Sequence, residues 1–145
     1  RVFPATFEMA SIGIVIGAGR TERAIAIDVV REFLDALGRR DLAAAQAYLA
    51  SGFVMTVAGN RQFRRLEDFA AWSAGRHGPV RKSLDGLEAS EAPTGISVYA
   101  TGTMAGAWLD GTPFTGVRFC DRLVLRNGLL VEMQVWNDLA EIRPR

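Results

Sequence analysis

An amphipathic helix is the first element that the pattern of apolar and polar positions predicts. We expect it to begin after the capping residue Thr21 and to end at Gly38. Its apolar side chains recur in steps of three and four, at Ile25, Val29, Val30, Phe33, Leu34 and Leu37. Such a stripe faces a core, so the helix packs on other elements along one side.

The segments that follow predict two more helices and one short strand. Asp41 caps a helix over 42–50, and the residues 53–58 alternate as a strand does. A third helix is predicted over 66–76, with apolar side chains on one side.

The second half of the chain reads as four successive strands. They are predicted over 80–89, 96–109, 114–126 and 129–137. The dipeptides Asp110-Gly111 and Asn127-Gly128 are typical of tight hairpin turns, so these strands form an antiparallel meander. The fold class is therefore α+β, with a curved, mostly antiparallel sheet wrapped around three helices in one domain over 21–145.

The residues 1–20 are predicted to form an N-terminal arm outside this domain. The first methionine is Met9, so we treat 1–8 as read-through sequence. The apolar run at 12–18 is too short for a membrane span, which needs roughly 20 residues. It resembles a signal-peptide core and a dinucleotide-binding turn, but it lacks a charged leader, and Glu22 stands where the third glycine belongs. We expect a cytoplasmic protein.

Scarcity of reactive residue types narrows the chemistry. The chain has one cysteine, one histidine (His77) and one lysine (Lys82), so it forms no internal disulfide and no zinc site of Cys and His. We expect no cofactor and no metal. The 17 basic and 16 acidic residues are interspersed, which argues against nucleic acid as a partner. Acid–base chemistry would fall mainly to the carboxylates.

Asp121 is the carboxylate that the pattern singles out. It shares strand parity with Phe119 and Leu123, whereas Arg118 and Arg122 lie on the opposite parity. A carboxylate on an apolar face is paired, hydrogen-bonded or protonated. It is therefore either a satisfied structural aspartate or a group with a raised pKa that can serve as general acid, base or hydrogen-bond donor.

Three other side chains are candidates for a site or a surface. Asn137, at the end of the last strand, shares parity with core residues and either reaches the same cavity or simply ends the strand. His77 follows the third helix and is either a surface histidine or a site residue beside Trp72. Trp136 lies on the opposite face of the sheet, which predicts a covered surface such as a dimer interface.

The chain resembles the nuclear transport factor 2-like superfamily, and most of all its SnoaL-like branch. The resemblance rests on VREFLDALGRRDL at 30–42, on the strand after Ser51-Gly52 and on DRLVLRNGLLVEMQVWND at 121–138. It implies a cone-shaped α+β barrel with a deep pocket between sheet and helices, and a homodimer formed through the outer face of the sheet. Members include ketosteroid isomerase, limonene epoxide hydrolase, polyketide cyclases and binding or scaffold domains, so the fold does not fix the function.

The resemblance carries over only part of any known catalytic set. The hydrogen-bonding aspartate of the isomerase falls on Asp121, but its oxyanion-hole tyrosine falls on Phe33 and its proton-shuttling aspartate on Val57. The catalytic positions of the epoxide hydrolase fall on Met55, Val57, Gly102, Met104 and Val135. The expected apolar pocket comprises Phe33, Phe53, Met55, Val57, Trp72, Met104, Phe119 and Val135.

Two functions are consistent with these residues. The first is a cofactor-independent isomerase, cyclase or hydrolase for a hydrophobic small molecule, in which Asp121 does acid–base work and Asn137 or His77 orients the substrate. The second is a non-catalytic module that binds a steroid-, terpenoid- or polyketide-like ligand, or a dimeric scaffold domain. Enolisation needs a second group to stabilise the oxyanion. A second titratable side chain within hydrogen-bond reach of Asp121 would favour catalysis.

Overall fold

The computed structural model describes residues 20–144, so the predicted arm over 1–20 lies almost wholly outside the described residues. The helices are α1 (Glu22–Gly38), α2 (Leu42–Gln46) and α3 (Leu66–Ala74). The strands are β1 (Leu49–Val57), β2 (Arg61–Phe63), β3 (His77–Ala92), β4 (Gly95–Trp108), β5 (Pro113–Arg126) and β6 (Leu129–Asn137). Single 3₁₀ turns cover Ala58–Asn60 and Leu139–Ile142. Within 20–144, no helix has both the length and the hydropathy needed to cross a membrane.

One curved, unclosed sheet contains all six strands in the order β2–β1–β6–β5–β4–β3. The pairing of β1 with β6 is parallel and the other four pairings are antiparallel. Apolar residues of the three helices pack together with those of the inner face of the sheet in one core. The predicted fold class, an α+β cone with a mostly antiparallel sheet around three helices, is confirmed.

Helix α1 begins as the sequence predicts, but the residue that terminates it is not the predicted glycine. The Thr21 hydroxyl accepts a hydrogen bond from the Ala24 amide at 3.0 Å, which caps the first turn. At the other end, Arg40 takes a left-handed backbone conformation with φ of 62°. The Asp41 amide donates to the Ala36 carbonyl (2.9 Å) and that of Arg40 to the Leu37 carbonyl (3.1 Å). This is a Schellman ending with arginine at the position usually held by glycine, while Gly38 is merely the last helical residue.

Several predicted boundaries were wrong, and at two of them sheet pairing overrides local preference. The second helix stops at Gln46 instead of residue 50, since Leu49 pairs with Leu130 and the Tyr48 carbonyl accepts from the Leu130 amide. Strand β3 starts at His77, three residues before the predicted start, despite Gly78-Pro79. A register shift between residues 77 and 80 accommodates this pair, and proline is tolerated because β3 is an edge strand.

The face assignment of β5 agrees with the predicted parity. Phe119, Asp121 and Leu123 are buried, whereas Arg118 and Arg126 are exposed. Asp121 is thus the one charged side chain among the fully buried residues of the described chain. The inner face of β5 delivers a carboxylate into an otherwise apolar layer.

Candidate active-site cavity

A cavity of about 540 Å³ lies between the sheet and the helices. Its walls come from the second half of α1, the following loop, α3, the first half of β3 and the ends of β1 and β6. This volume is within the range of small-molecule sites, which hold ligands in mostly apolar clefts of roughly 300–1,000 Å³.

Six of the residues predicted for the site line this cavity. They are His77, Asn137, Val57, Trp72, Met104 and Val135. Four predicted pocket residues are instead packed in the core and are absent from the lining, namely Phe33, Phe53, Met55 and Phe119. Strand parity identifies the face on which a side chain lies, but it does not tell which part of that face the helices cover.

Asp121 is fully buried and forms an ion pair with the lysine of β3. The Lys82 ammonium donates to Oδ2 of Asp121 at 2.5 Å. The Asp121 side chain is 0% exposed and does not itself line the cavity, whereas the Lys82 side chain is 26% exposed and does. Lys82 therefore contacts both the buried carboxylate and the cavity.

Sheet register explains how a lysine two strands away reaches this carboxylate. Asp121 pairs with Ala100, and Lys82 pairs with Met104, so the two side chains are offset along the sheet. Between them, Gly102 faces Phe119 and has no side chain, and the Lys82 nitrogen lies 4.5 Å from the centre of the Phe119 ring. A Cβ at Gly102 would come within 2.0 Å of the Ser83 carbonyl oxygen, so β3 and β4 approach too closely there for any other residue.

Burial and the lysine act on Asp121 in opposite directions. Desolvation raises the pKa of Asp121, while the charge of Lys82 and its hydrogen bond lower it by less, so that the pKa stays above its ordinary value. Oδ1 of Asp121 has no hydrogen-bond partner among residues 20–144. A carboxyl that is desolvated and half satisfied can bind a proton at a pH where an exposed aspartate stays ionised.

His77 has one nitrogen engaged and one available. Its Nδ1 lies 2.7 Å from the Gly78 carbonyl oxygen. Since a carbonyl can only accept, Nδ1 carries the proton, and Nε2 of the neutral ring is an acceptor. Edge-on packing against Trp108 and Phe114, at centroid distances of 6.4 and 6.2 Å, fixes the ring in the cavity wall.

Asn137 is oriented by the turn that follows β6. Its Oδ1 accepts from the Leu139 amide at 3.0 Å, which leaves the side-chain NH₂ as the free end in the cavity wall. Within 20–144, no group of three or more His, Cys, Asp or Glu side chains is placed to hold a metal ion.

Lys82 is a cavity residue that was not among the predicted site residues. As the lone lysine on the parity of Val80 and Leu84, it carried a weak signal, and all three side chains line the cavity. The pairing with Asp121 joins residues 39 positions apart, through a strand register that no local pattern reveals.

The fold and cavity define an α+β cone protein of nuclear transport factor 2-like architecture with a ligand-sized cleft. Residues 30–133, more than half of the chain, match the family model of the SnoaL-like domain, and the chain belongs to that family. Comparison with curated protein sequences found no match.

Similar solved structures come from several bacteria. A protein of unknown function from Burkholderia pseudomallei is 22% identical, with 81% of this chain and 94% of that chain covered and a TM-score of 0.67. A protein assigned to the SnoaL-like polyketide cyclases of Jannaschia sp. is 17% identical (87% and 94% covered, TM-score 0.69). An epoxide hydrolase of M. tuberculosis is 21% identical (84% and 89% covered, TM-score 0.62). At these identities the likeness shows the fold alone.

Proposed function

We propose that this protein is a cofactor-independent enzyme that binds a hydrophobic carbonyl compound in the cavity and catalyses its enolisation, leading to isomerisation or cyclisation. The observation that carries the proposal is the pairing of the buried Asp121 with a lysine of the cavity wall. This pairing supplies a second titratable side chain within hydrogen-bond reach of Asp121, which favours catalysis. The family supports an enzyme of this kind, since related folds include a protein assigned to the polyketide cyclases.

Lys82 is the proposed oxyanion stabiliser. Its ammonium has three N–H donors, of which one is directed to Asp121. The others are available to a carbonyl oxygen of the ligand, whose negative charge grows as the enolate forms. In an apolar cavity such a donor acts more strongly than in water, and stabilisation of this kind is usually the largest catalytic contribution.

His77 is the proposed proton carrier. Its Nε2 accepts the proton from the carbon next to the carbonyl, the C–H electron pair forms the enolate double bond, and the carbonyl π pair moves onto the oxygen held by Lys82. Where a C=C bond adjoins that carbon the enolate is a conjugated dienolate, and return of the proton to its far carbon shifts the double bond and gives an isomer. Attack of the enolate carbon on a second carbonyl of the same ligand gives a ring, and the new alkoxide takes the proton. The Asn137 amide donates to a further ligand oxygen.

Exchange of carbon-bound hydrogen tests this proposal. We expect the protein to accelerate deuterium incorporation next to the carbonyl of hydrophobic ketones such as 2-tetralone in D₂O, followed by proton NMR. Lys82→Met should reduce the rate by ~10²-fold or more, the usual effect of losing one oxyanion donor. Arg64→Gln, outside the cavity lining, is the matched control and should leave the rate unchanged. Exchange no faster than in buffer, or equal in the Lys82 variant, would overturn the proposal.

A non-catalytic binding module is the second candidate. It is favoured by the fact that Asp121 does not line the cavity, because a carboxylate that only neutralises Lys82 would leave a binding cleft without a reaction. Saturable binding of the ketones without hydrogen exchange would identify this function.

We further propose that the outer face of the sheet pairs with a second copy of the chain. Trp136 and Tyr99 lie on that face and are 53% and 39% exposed. They flank a polar patch in which Arg122 contacts Ser97 and Glu132, each at 3.3 Å. Two copies related by a two-fold axis would bury these large side chains against each other.

A further inference from the structure

Positive charge is concentrated around the cavity of an otherwise balanced chain. The lining contains six of the 17 basic residues but one of the 16 acidic residues. The basic ones are Arg31, Arg39, Arg40, Arg76, Arg81 and Lys82, and the acidic one is Asp35. This asymmetry has no counterpart in the pattern of the sequence, because the arginines come from three separate segments.

Half of these cations are already neutralised within the fold. Arg39 forms an ion pair with Asp35, Arg31 lies 3.5 Å from Asp28, and Lys82 is held by Asp121. In residues 20–144, the three others form no salt bridge with a carboxylate; these are Arg40, Arg76 and Arg81. The cavity thus carries three positive charges that no carboxylate of the described residues neutralises.

Exposure separates the lining into an apolar interior and a charged mouth. Leu34, Val57 and Met104 are buried, with 8%, 5% and 4% exposure. Arg40 and Arg81 are exposed, so they stand where the cavity meets solvent. A ligand that fills this cavity would therefore place an apolar body inside and its end among the arginines.

Arg76 is held in a defined orientation at this mouth. Its guanidinium lies 4.7 Å from the centre of the Trp72 ring, and both residues line the cavity. Stacking on an aromatic face leaves the N–H edge of a guanidinium free for two parallel hydrogen bonds to an oxyanion.

Arg40 occupies a backbone conformation that favours glycine. Its φ of 62° falls in the left-handed region, where a side chain is strained. Strained residues of this kind concentrate at functional sites, since the side chain is retained at the expense of stability. The chain thus places a guanidinium at the cavity mouth where glycine would fit better.

We infer that the ligand of this cavity is an amphipathic anion, whose apolar body fills the interior and whose carboxylate or phosphate is bound by Arg40, Arg76 and Arg81. The inference rests on the proposed function in using the same cavity, and it adds the chemical class of the ligand. Guanidinium groups bind both oxyanions through paired hydrogen bonds, so the two share one recognition chemistry.

Two fluorescent probes with the same aromatic rings test the charge requirement. These are 8-anilino-1-naphthalenesulfonate, which is anionic, and N-phenyl-1-naphthylamine, which is neutral. The anionic probe should bind more tightly, and the combined variant Arg40→Gln, Arg76→Gln, Arg81→Gln should weaken it by ~10-fold or more, equivalent to one charge-assisted hydrogen bond. Affinity for the neutral probe should change less than ~2-fold, which also shows that the variant is folded.

A control removes the same net charge elsewhere. Arg64→Gln, Arg126→Gln, Arg143→Gln lies outside the cavity lining and should leave both affinities unchanged. Equal weakening by the two triple variants would mean a general charge effect and overturn the inference. Neutral-probe binding with no preference for the anion would overturn it while leaving the cavity of the proposed function intact. Failure of both probes to bind would overturn both.

Competition against the neutral probe distinguishes the two oxyanions. Dodecanoate, dodecyl phosphate and dodecanol share one chain and differ in the head group. If either anion displaces the neutral probe more strongly than the alcohol does, the inference is supported. The anion that displaces the probe more strongly identifies the preferred head group. Equal displacement by all three overturns it.

Discussion

Replacing Lys82 with methionine leaves a fully buried carboxylate without the partner that the fold provides. Methionine keeps most of the aliphatic stem beside Phe119 and removes the ammonium. Asp121 has no other hydrogen-bond partner in the described chain, since Oδ2 contacts Lys82 and Oδ1 contacts none. The variant thus isolates the contribution of the ion pair to stability.

Two limits define how much folding stability the Lys82→Met variant is expected to lose. Removing one member of a buried pair typically costs ~3–5 kcal/mol. The carboxyl can instead bind a proton, which at pH 7 costs at most ~4 kcal/mol relative to an ordinary aspartate. Because the pKa of Asp121 is raised even with Lys82 present, the lysine offsets only part of the desolvation. We therefore expect a loss of ~2–3 kcal/mol at pH 7, falling below ~1.5 kcal/mol at pH 5, where protonation is cheaper.

Urea unfolding followed by circular dichroism at both pH values measures this difference. Arg81→Met, the next residue of β3 and one that forms no salt bridge within 20–144, is the control and should change stability by less than ~0.5 kcal/mol. The double variant Lys82→Met, Asp121→Leu should recover most of the loss, since it leaves neither a buried charge nor an unpaired buried polar group. A loss of less than ~1 kcal/mol at pH 7, or an equal loss at both pH values, would refute the coupling of these two residues.

Three further predictions concern other features of the fold. Burial raises the pKa of Asp121, so the folded state keeps the proton of this carboxyl to higher pH than the unfolded state does. Stability should therefore fall as pH rises from ~4 through the folded pKa. Asp121→Asn should flatten that part of the curve of melting temperature against pH. Arg40→Gly should stabilise by ~0.5–1 kcal/mol in urea unfolding by relieving the left-handed backbone, and a loss would contradict the strain. Light scattering should give a dimer for the native chain and a monomer for Trp136→Glu, whereas a monomeric native chain would reject the outer-face pairing.

The sequence predicted what depends on periodicity. The α1 stripe, the four long strands and the burial of Asp121 all follow from alternation within one element, which a chain displays locally. The parallel pairing of β1 with β6 does not follow from any local pattern. This pairing determines the conformation of residues 47–50, because their helical preference is weak compared with the hydrogen bonds that β6 offers. The start of β3 at His77 likewise depends on its partner Trp108.

The candidate site was predictable only to the extent that it lies within one strand. Parity placed Asp121 in the apolar layer, but its partner Lys82 depends on the register of two successive pairings and on the missing side chain of Gly102 between them. Loop segments and strand ends likewise bring Arg40 and Arg76 to one mouth. Contacts of this kind are a property of the assembled sheet and helices, and no window of the sequence contains them.

The two cationic parts of the cavity differ in one property that bears on function. Arginine keeps its charge at every physiological pH, so the mouth formed by Arg40, Arg76 and Arg81 would bind an anion equally well across that range. Asp121, which contacts Lys82, has a pKa raised by burial, so the net charge of this pair changes as Asp121 titrates. Binding and chemistry would therefore respond separately to pH, with KM for an anionic substrate nearly constant while kcat follows the protonation of Asp121.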